Sequence, residues 1–131
     1  MWPQDLKYTK SHEWARVEGD VVTMGLTQFA VTHLSDLVFI DLPDAGEAVT
    51  QNESFGEVES VKAVADINSP VSGEVVEVNQ EVVDNVELIS KDCYGAGWVV
   101  KIKMSDPSEL DKLMDAKKYE KHAAAEEAAG H

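Results

Sequence analysis

The sequence predicts a mainly β protein, one domain built as a compact sandwich or barrel of short strands. Three observations carry that expectation. Short segments in which apolar and polar residues alternate recur along the chain, at VVTMGL, LVFIDL, FGEVES, EVVEVN and WVVKIK. Turn-forming Pro, Gly, Ser and Asp separate them, as in PDAGEAV and SPVSG. Hydrophobic residues make up 44% of the 131, enough for one modest core and too many for a disordered chain.

The elements follow in chain order. Residues 2–19 have apolar side chains without period and predict an irregular lead-in that pairs as an edge strand near His12 to Val17. Val22, Met24 and Leu26 share one face of the next strand. Thr27 has the chemistry of an N-cap, and Ala30, Val31 and Leu34 fall at helical spacing, so a short helix is expected. In LVFIDL, alternation places Val38, Ile40 and Leu42 on one face. Phe55, Glu57 and Glu59 then alternate with Gly56 and Val58, and AVADIN reads as the returning strand of a hairpin. Val76 and Val78 oppose Val75 and Glu77; Trp98, Val100 and Ile102 oppose Lys101 and Lys103.

Near the end, Asp106 can cap a helix, Pro107 fits its first position and Glu109 completes a capping-box pattern. Leu110, Leu113 and Met114 form an apolar stripe that would pack on the sheet. Residues 1–5 and 121–131 are expected to be flexible ends, the latter being mostly Ala and Glu.

A formal net charge of -14 argues against nucleic acid and against anionic membranes as partners. It suits a soluble protein that meets basic patches on other proteins. Cys93 is the single cysteine, so no intrachain disulfide or thiolate metal cluster is possible. No apolar run approaches membrane-spanning length, and no basic-plus-apolar leader opens the chain. With Met1 at the start, a cytoplasmic location is expected, or the mitochondrial matrix if a transit peptide was removed.

His12, His33, His122 and His131 lack ligand spacing, and no metal site is expected. Phosphate-binding glycine loops are absent, and no nucleophile has an activating base. Glu57 and Glu59 point the same way on a strand but read as a solvated face. The chain therefore reads as no enzyme by itself, with no catalytic residue.

One lysine stands apart. Lys62 lies between the two strands of the expected hairpin, flanked by Val61, Ala63, Val64 and Ala65. Small and apolar neighbours are unusual at a solvated loop tip and fit a tip that a second protein grips. An exposed primary amine on a rigid turn is what an acyl-attaching ligase can reach, and acylation replaces the charge with a long tether.

The residues around Lys62, GEAVTQNESFGEVESVK at 46–62 and SPVSGEV at 69–75, resemble lipoyl and biotinyl carrier domains. The sharper string, FGEVESVKA with SPVSGEV after it, resembles the H protein of the glycine cleavage system. KYTKSHEW, VTMGLTQFA, LVFIDLP and YGAGWVVKIK extend that resemblance from about Leu6 to Tyr119.

The resemblance implies a flattened β-sandwich of the lipoyl/biotinyl barrel-sandwich hybrid type, with short peripheral helices and a C-terminal helix. It implies lipoate in amide linkage to Lys62. The carrier would receive an aminomethyl group from a pyridoxal-phosphate glycine decarboxylase and pass it to a tetrahydrofolate-dependent aminomethyltransferase. Dihydrolipoyl dehydrogenase would reoxidise it. A lipoate ligase or octanoyl/lipoyl transferase would load it, with Glu57, Glu59, Ser60, Val61 and Ala63 as recognition residues. A monomer is expected, because a shuttle must dissociate between partners. By carry-over from the family, Glu13, His33 and Asp66 cradle the loaded arm, Glu13 or Asp66 holding its cationic amine; read alone, the two acids are ordinary exposed carboxylates.

The chain departs from the family where Pro is frequent, at Val86 and at Cys93, and where Asn is frequent, at Ser90. A looser segment between the last two strands is expected there. The alternatives are a lipoyl relay or storage protein that hands its acyl group to other carriers, a biotin carrier, and a structural domain with an incidental lysine. Biotin sites place Met on both sides of the lysine, where this chain has Val61 and Ala63.

Overall fold

The computed structural model describes residues 3–128. Nine strands form two antiparallel sheets: β1 (Lys7–Tyr8), β2 (Glu13–Glu18), β3 (Val21–Leu26), β4 (Leu37–Asp41), β5 (Ala48–Val49), β6 (Ser54–Ser60), β7 (Val64–Asn68), β8 (Gly73–Val78) and β9 (Val100–Met104). The larger sheet has the order β1-β2-β3-β9-β8-β5, the smaller β4-β6-β7. This is the mainly β sandwich that alternation predicts. Apolar residues from both sheets meet between them, among them Val22, Met24, Val75, Val100 and Ile102 against Ile40, Val58 and Ile67.

Helix α1 (Gln28–Leu34) begins where expected, its Thr27 side chain accepting a hydrogen bond from the Ala30 N–H. A second core lies around β1, β2 and helix α4 (Ala116–Ala128), formed by Leu6, Tyr8, Trp14, Met114, Ala116, Tyr119 and Ala123. Tyr8 and Tyr119 stack there with centroids 4.5 Å apart.

Several expectations need correction. The predicted edge strand near His12 to Val17 is covered in its first half, where the two-residue β1 pairs with Trp14 and Ala15, and is an edge only from Arg16 on. In β4 a register shift between Leu37 and Phe39 turns Leu37 and Ile40 inward, leaving Val38 and Phe39 exposed, so Val38, Ile40 and Leu42 do not share a buried face. A shift between Val75 and Glu77 likewise buries Val75, exposes Val76 and leaves Val78 half-buried. Trp98 precedes β9 and packs with the second core.

The segment between the last two strands, expected to be loose, forms two one-turn helices, α2 (Gln80–Asp84) and α3 (Glu87–Lys91). Val82 and Ile89 anchor them in the core, and Trp14 Nε1 donates to the Cys93 carbonyl at 2.8 Å. Asp106 caps as predicted, but the helix it starts is 3-10 (Pro107–Lys112). Glu109 completes no capping box: its carboxylate accepts from the Ser72 N–H and hydroxyl, at 2.7 and 2.8 Å, tying this helix to the start of β8. The predicted stripe divides, Leu110 and Leu113 packing on the first core and Met114 entering the second. Residues 121–128 continue α4, while 129–131, including His131, lie outside the described residues.

Candidate functional site

Lys62 occupies the tip of the β6–β7 hairpin. Six of the seven positions from Ser54 to Ser60 are not fully free to choose their path: β6 is central in its sheet, paired to β4 and β7. Gly56 permits the close approach to β4, since a Cβ there would lie 2.4 Å from the Asp41 carbonyl oxygen. The strands thus reach the tip with fixed register, Glu59 opposite Val64 and Val58 opposite Ala65.

The turn itself is held by backbone groups and one hydroxyl. The Ser60 N–H donates to the Ala63 carbonyl at 2.8 Å. Ser60 Oγ accepts from the Lys62 and Ala63 N–H groups at 3.3 and 3.1 Å. From outside, Val61 N–H donates to the Asp36 carbonyl at 3.0 Å. The side chains of Val61, Lys62, Ala63 and Val64 are left in solvent, and Lys62 forms no ion pair among the described residues. Glu57 and Glu59 are exposed beside the hairpin. Ser60, expected among the recognition residues, is buried and holds the turn from within.

Behind the hairpin lies a cavity of about 180 Å³. Its walls come from the loop before β2, from α1 and from β6 and β7, and they bring together Glu13, His33 and Asp66. Leu26, Phe29, Ala30, Leu34, Val58 and Ala65 make the remainder mostly apolar. Asp66 follows Lys62 by four residues, through the turn and into β7, which bounds their Cα separation at about 14 Å.

The three polar members differ. Glu13 is 1% exposed, not the surface acid its sequence context suggested. Its Oε1 accepts from the Thr9 and Ser11 hydroxyls, each at 2.5 Å, and its Oε2 from the Asn68 N–H at 3.2 Å. Burial pushes its carboxyl up from the ordinary value, and these donors push back. Asp66 is exposed and carries no side-chain hydrogen bond among the described residues. Of the two acids, Asp66 therefore has the free acceptor capacity. The His33 ring stacks on Phe29 at 4.2 Å, with Nδ1 2.9 Å from the Phe29 carbonyl and Nε2 3.0 Å from Glu127 Oε2.

Sequence reasoning missed His12 and Phe29 as wall residues. Phe29 is a half-buried aromatic on α1, stacked between the rings of His12 and His33 at 4.2 Å from each. His12 has a left-handed backbone, φ 73°, unusual for a residue with a Cβ. No local pattern in the sequence announces either contact. Cys93 is buried, and burial pushes its thiol up to about 11, which leaves little thiolate at neutral pH.

The chain as a whole is similar to known proteins. The family model described as "Glycine cleavage H-protein" matches residues 6–126. "Glycine cleavage system H protein 2, mitochondrial" of Arabidopsis thaliana is 50% identical over 125 residues, 95% of this chain and 80% of that one. "Glycine cleavage system H protein" of Cyanothece sp. is 53% identical over 118 residues, 90% of this chain and 92% of that one. Among solved structures, a glycine cleavage system H protein from Mycobacterium marinum superposes with a TM-score of 0.83 at 43% identity, covering 89% of this chain and 94% of that one.

Proposed function

The chain belongs to the glycine cleavage H-protein family, a family of non-catalytic lipoyl carriers, and from that premise we propose that Lys62 carries lipoate and that the protein shuttles the aminomethyl group of glycine. The observation that carries this reading is the exposed amine of Lys62, without an ion pair among the described residues, on a turn whose backbone is held independently of it. An amine so placed enters a ligase site without any part of the fold opening.

The residues present fit the group. The mostly apolar cavity begins, at Asp66, within about 14 Å of Lys62, a reach that a lysine stem extended by a medium-chain acyl group covers. When attached, the cofactor supplies the dithiolane sulfur that takes up and releases the aminomethyl group and is oxidised again. The protein's own contribution is presentation and shelter. Apolar walls keep water from a labile adduct. Asp66 balances a cationic amine at the cavity, while Glu13, already accepting three hydrogen bonds, fixes the wall. The tether raises the local concentration of the reacting group at each partner.

The partners are a pyridoxal-phosphate glycine decarboxylase, a tetrahydrofolate-dependent aminomethyltransferase, dihydrolipoyl dehydrogenase, and the ligase or transferase that loads Lys62. Exposed Glu57, Glu59, Val61 and Ala63 offer these enzymes an acidic and apolar contact surface around the lysine. The shuttle works as a monomer in the cytoplasm, or in the mitochondrial matrix; plant relatives are named as mitochondrial.

Loading the protein with a lipoate ligase and weighing it intact tests the site. One lipoyl group is expected on the native chain and none on Lys62→Ala; a lipoylated Lys62→Ala protein overturns the assignment. The loaded protein is then expected to support glycine decarboxylation. Normal lipoylation without decarboxylation would instead favour a lipoyl relay.

A further inference from the structure

His12 and His122 are 110 residues apart by number, and nothing in their spacing relates them. The fold does. His122 and Glu126 stand at i and i+4 on α4, so both side chains leave the same face. That face lies against the loop before β2, which carries His12. One donor atom from each of the three residues lies within 4.8 Å of the other two.

The donors are oriented. The His12 ring is fixed by stacking on Phe29 and by a 2.7 Å hydrogen bond between Nδ1 and the Tyr119 hydroxyl, which turns Nε2 toward Glu126. The Tyr119 hydroxyl is itself anchored to Thr27 Oγ1 at 2.7 Å. A partner on the far ring nitrogen is the usual support for an imidazole that binds a metal. Glu126 Oε2 is buried and, although in ion-pair contact with His12 Nε2, has no hydrogen-bond partner among the described residues. Its distance to His122 Nε2 is 3.6 Å, close to the roughly 3.3 Å that two tetrahedral ligands keep around one Zn²⁺.

We propose that His12, His122 and Glu126 form a binding site for a divalent transition-metal ion of the Zn²⁺ class, which pins the C-terminal helix to the loop before β2. Two imidazoles and one carboxylate are borderline donors that suit Zn²⁺, Ni²⁺ or Cu²⁺. Mg²⁺ and Ca²⁺ demand more oxygen ligands than the cluster offers. Three protein ligands leave one tetrahedral position for water. Entry of the ion requires small movements: the close His12–Glu126 contact opens, and His122 Nε2 gives up its 2.9 Å contact with the Lys10 carbonyl. The ion needs no ligand from a group on Lys62, although His12 also lines the cavity behind the hairpin.

Calorimetric titration of the full, chelator-stripped chain with Zn²⁺, near neutral pH and in excess Mg²⁺, tests this. The magnesium occupies diffuse sites created by the acidic surface. One saturable Zn²⁺ site is expected, and at about a hundredfold excess over Kd the unfolding temperature rises by about 10 °C. His122→Ala and Glu126→Gln, half-buried positions on the helix, are each expected to weaken binding at least about tenfold. Glu120→Gln on the same helix leaves it unchanged. Co²⁺ in place of Zn²⁺ is expected to give the visible bands of a four-coordinate ion, lost in His122→Ala. No saturable Zn²⁺ binding overturns the proposal, as does binding of native strength in a folded His122→Ala, Glu126→Gln double variant.

Discussion

The hairpin tip and the wall around Glu13 treat their polar groups in opposite ways. At the tip, Val61, Lys62, Ala63 and Val64 stay in solvent, and only Ser60 is buried, its hydroxyl serving the N–H groups of Lys62 and Ala63. At the wall, a whole carboxylate is buried and surrounded by Thr9, Ser11 and the Asn68 N–H. The tip is shaped by four consecutive residues and one brace from Asp36; the wall is assembled from two stretches more than 50 residues apart. Presentation of an amine needs local stiffness alone. Building a dry, defined cavity needs the tertiary fold.

Ile67 separates the two regions most strongly. It is fully buried on β7, beside Asp66 of the cavity and Asn68, the donor to Glu13. Ile67→Ala is expected to cost about 2–5 kcal/mol of stability, read from denaturant midpoints. Because the tip is held by its own hydrogen bonds, ligase loading of Lys62 should persist in this variant below its unfolding temperature. Loss of loading in the folded variant would show that the tip depends on the core after all.

Ser60→Ala probes the other side. The substitution removes the acceptor for two N–H groups at a buried position, with an expected cost of about 1–2 kcal/mol. The ligase rate should fall more than global stability does, since the lost bonds order the tip alone. An unchanged rate, measured at equal folded fraction, would assign Ser60 no part in presentation.

The same contrast explains what could be read without coordinates. The tip was legible because its information is local: alternation on both flanks, a lysine among small residues, and a long family resemblance around them. The strand segments along the chain and the Thr27 cap of α1 were legible for the same reason. The errors fall where non-local pairing overrides a local pattern. Register shifts in β4 and β8 give different burial to residues that alternation places on one face, Val38 against Ile40 and Val76 against Val78. Glu109 satisfies Ser72 across the fold instead of its own helix. Glu13, in a polar SHEW context, reads as exposed until Asn68 and α1 close over it. The His12–His122–Glu126 cluster has no counterpart in spacing because α4 returns across the first strands of the chain.

Glu13→Gln tests the wall with the smallest expected effect. Burial raises the folded carboxyl above its ordinary value of 4.5, against the opposing pull of its three donors. Between 4.5 and that raised value the folded protein holds a proton that the unfolded chain has released, so this residue's contribution to stability falls as pH rises through the window. It is fully present below the window and constant above it. Glutamine cannot titrate, and its amide can donate to the Thr9 and Ser11 oxygens while its carbonyl keeps the Asn68 bond. The variant should therefore lose this slope, gaining on the native protein as pH rises and levelling off once Glu13 is ionised. Urea midpoints of both proteins from acid to neutral pH measure the difference directly, other titrating groups being common to both. Parallel profiles would mean that the hydroxyls and the Asn68 N–H offset burial completely, and the wall would then be as indifferent to the proton as the solvent-exposed tip.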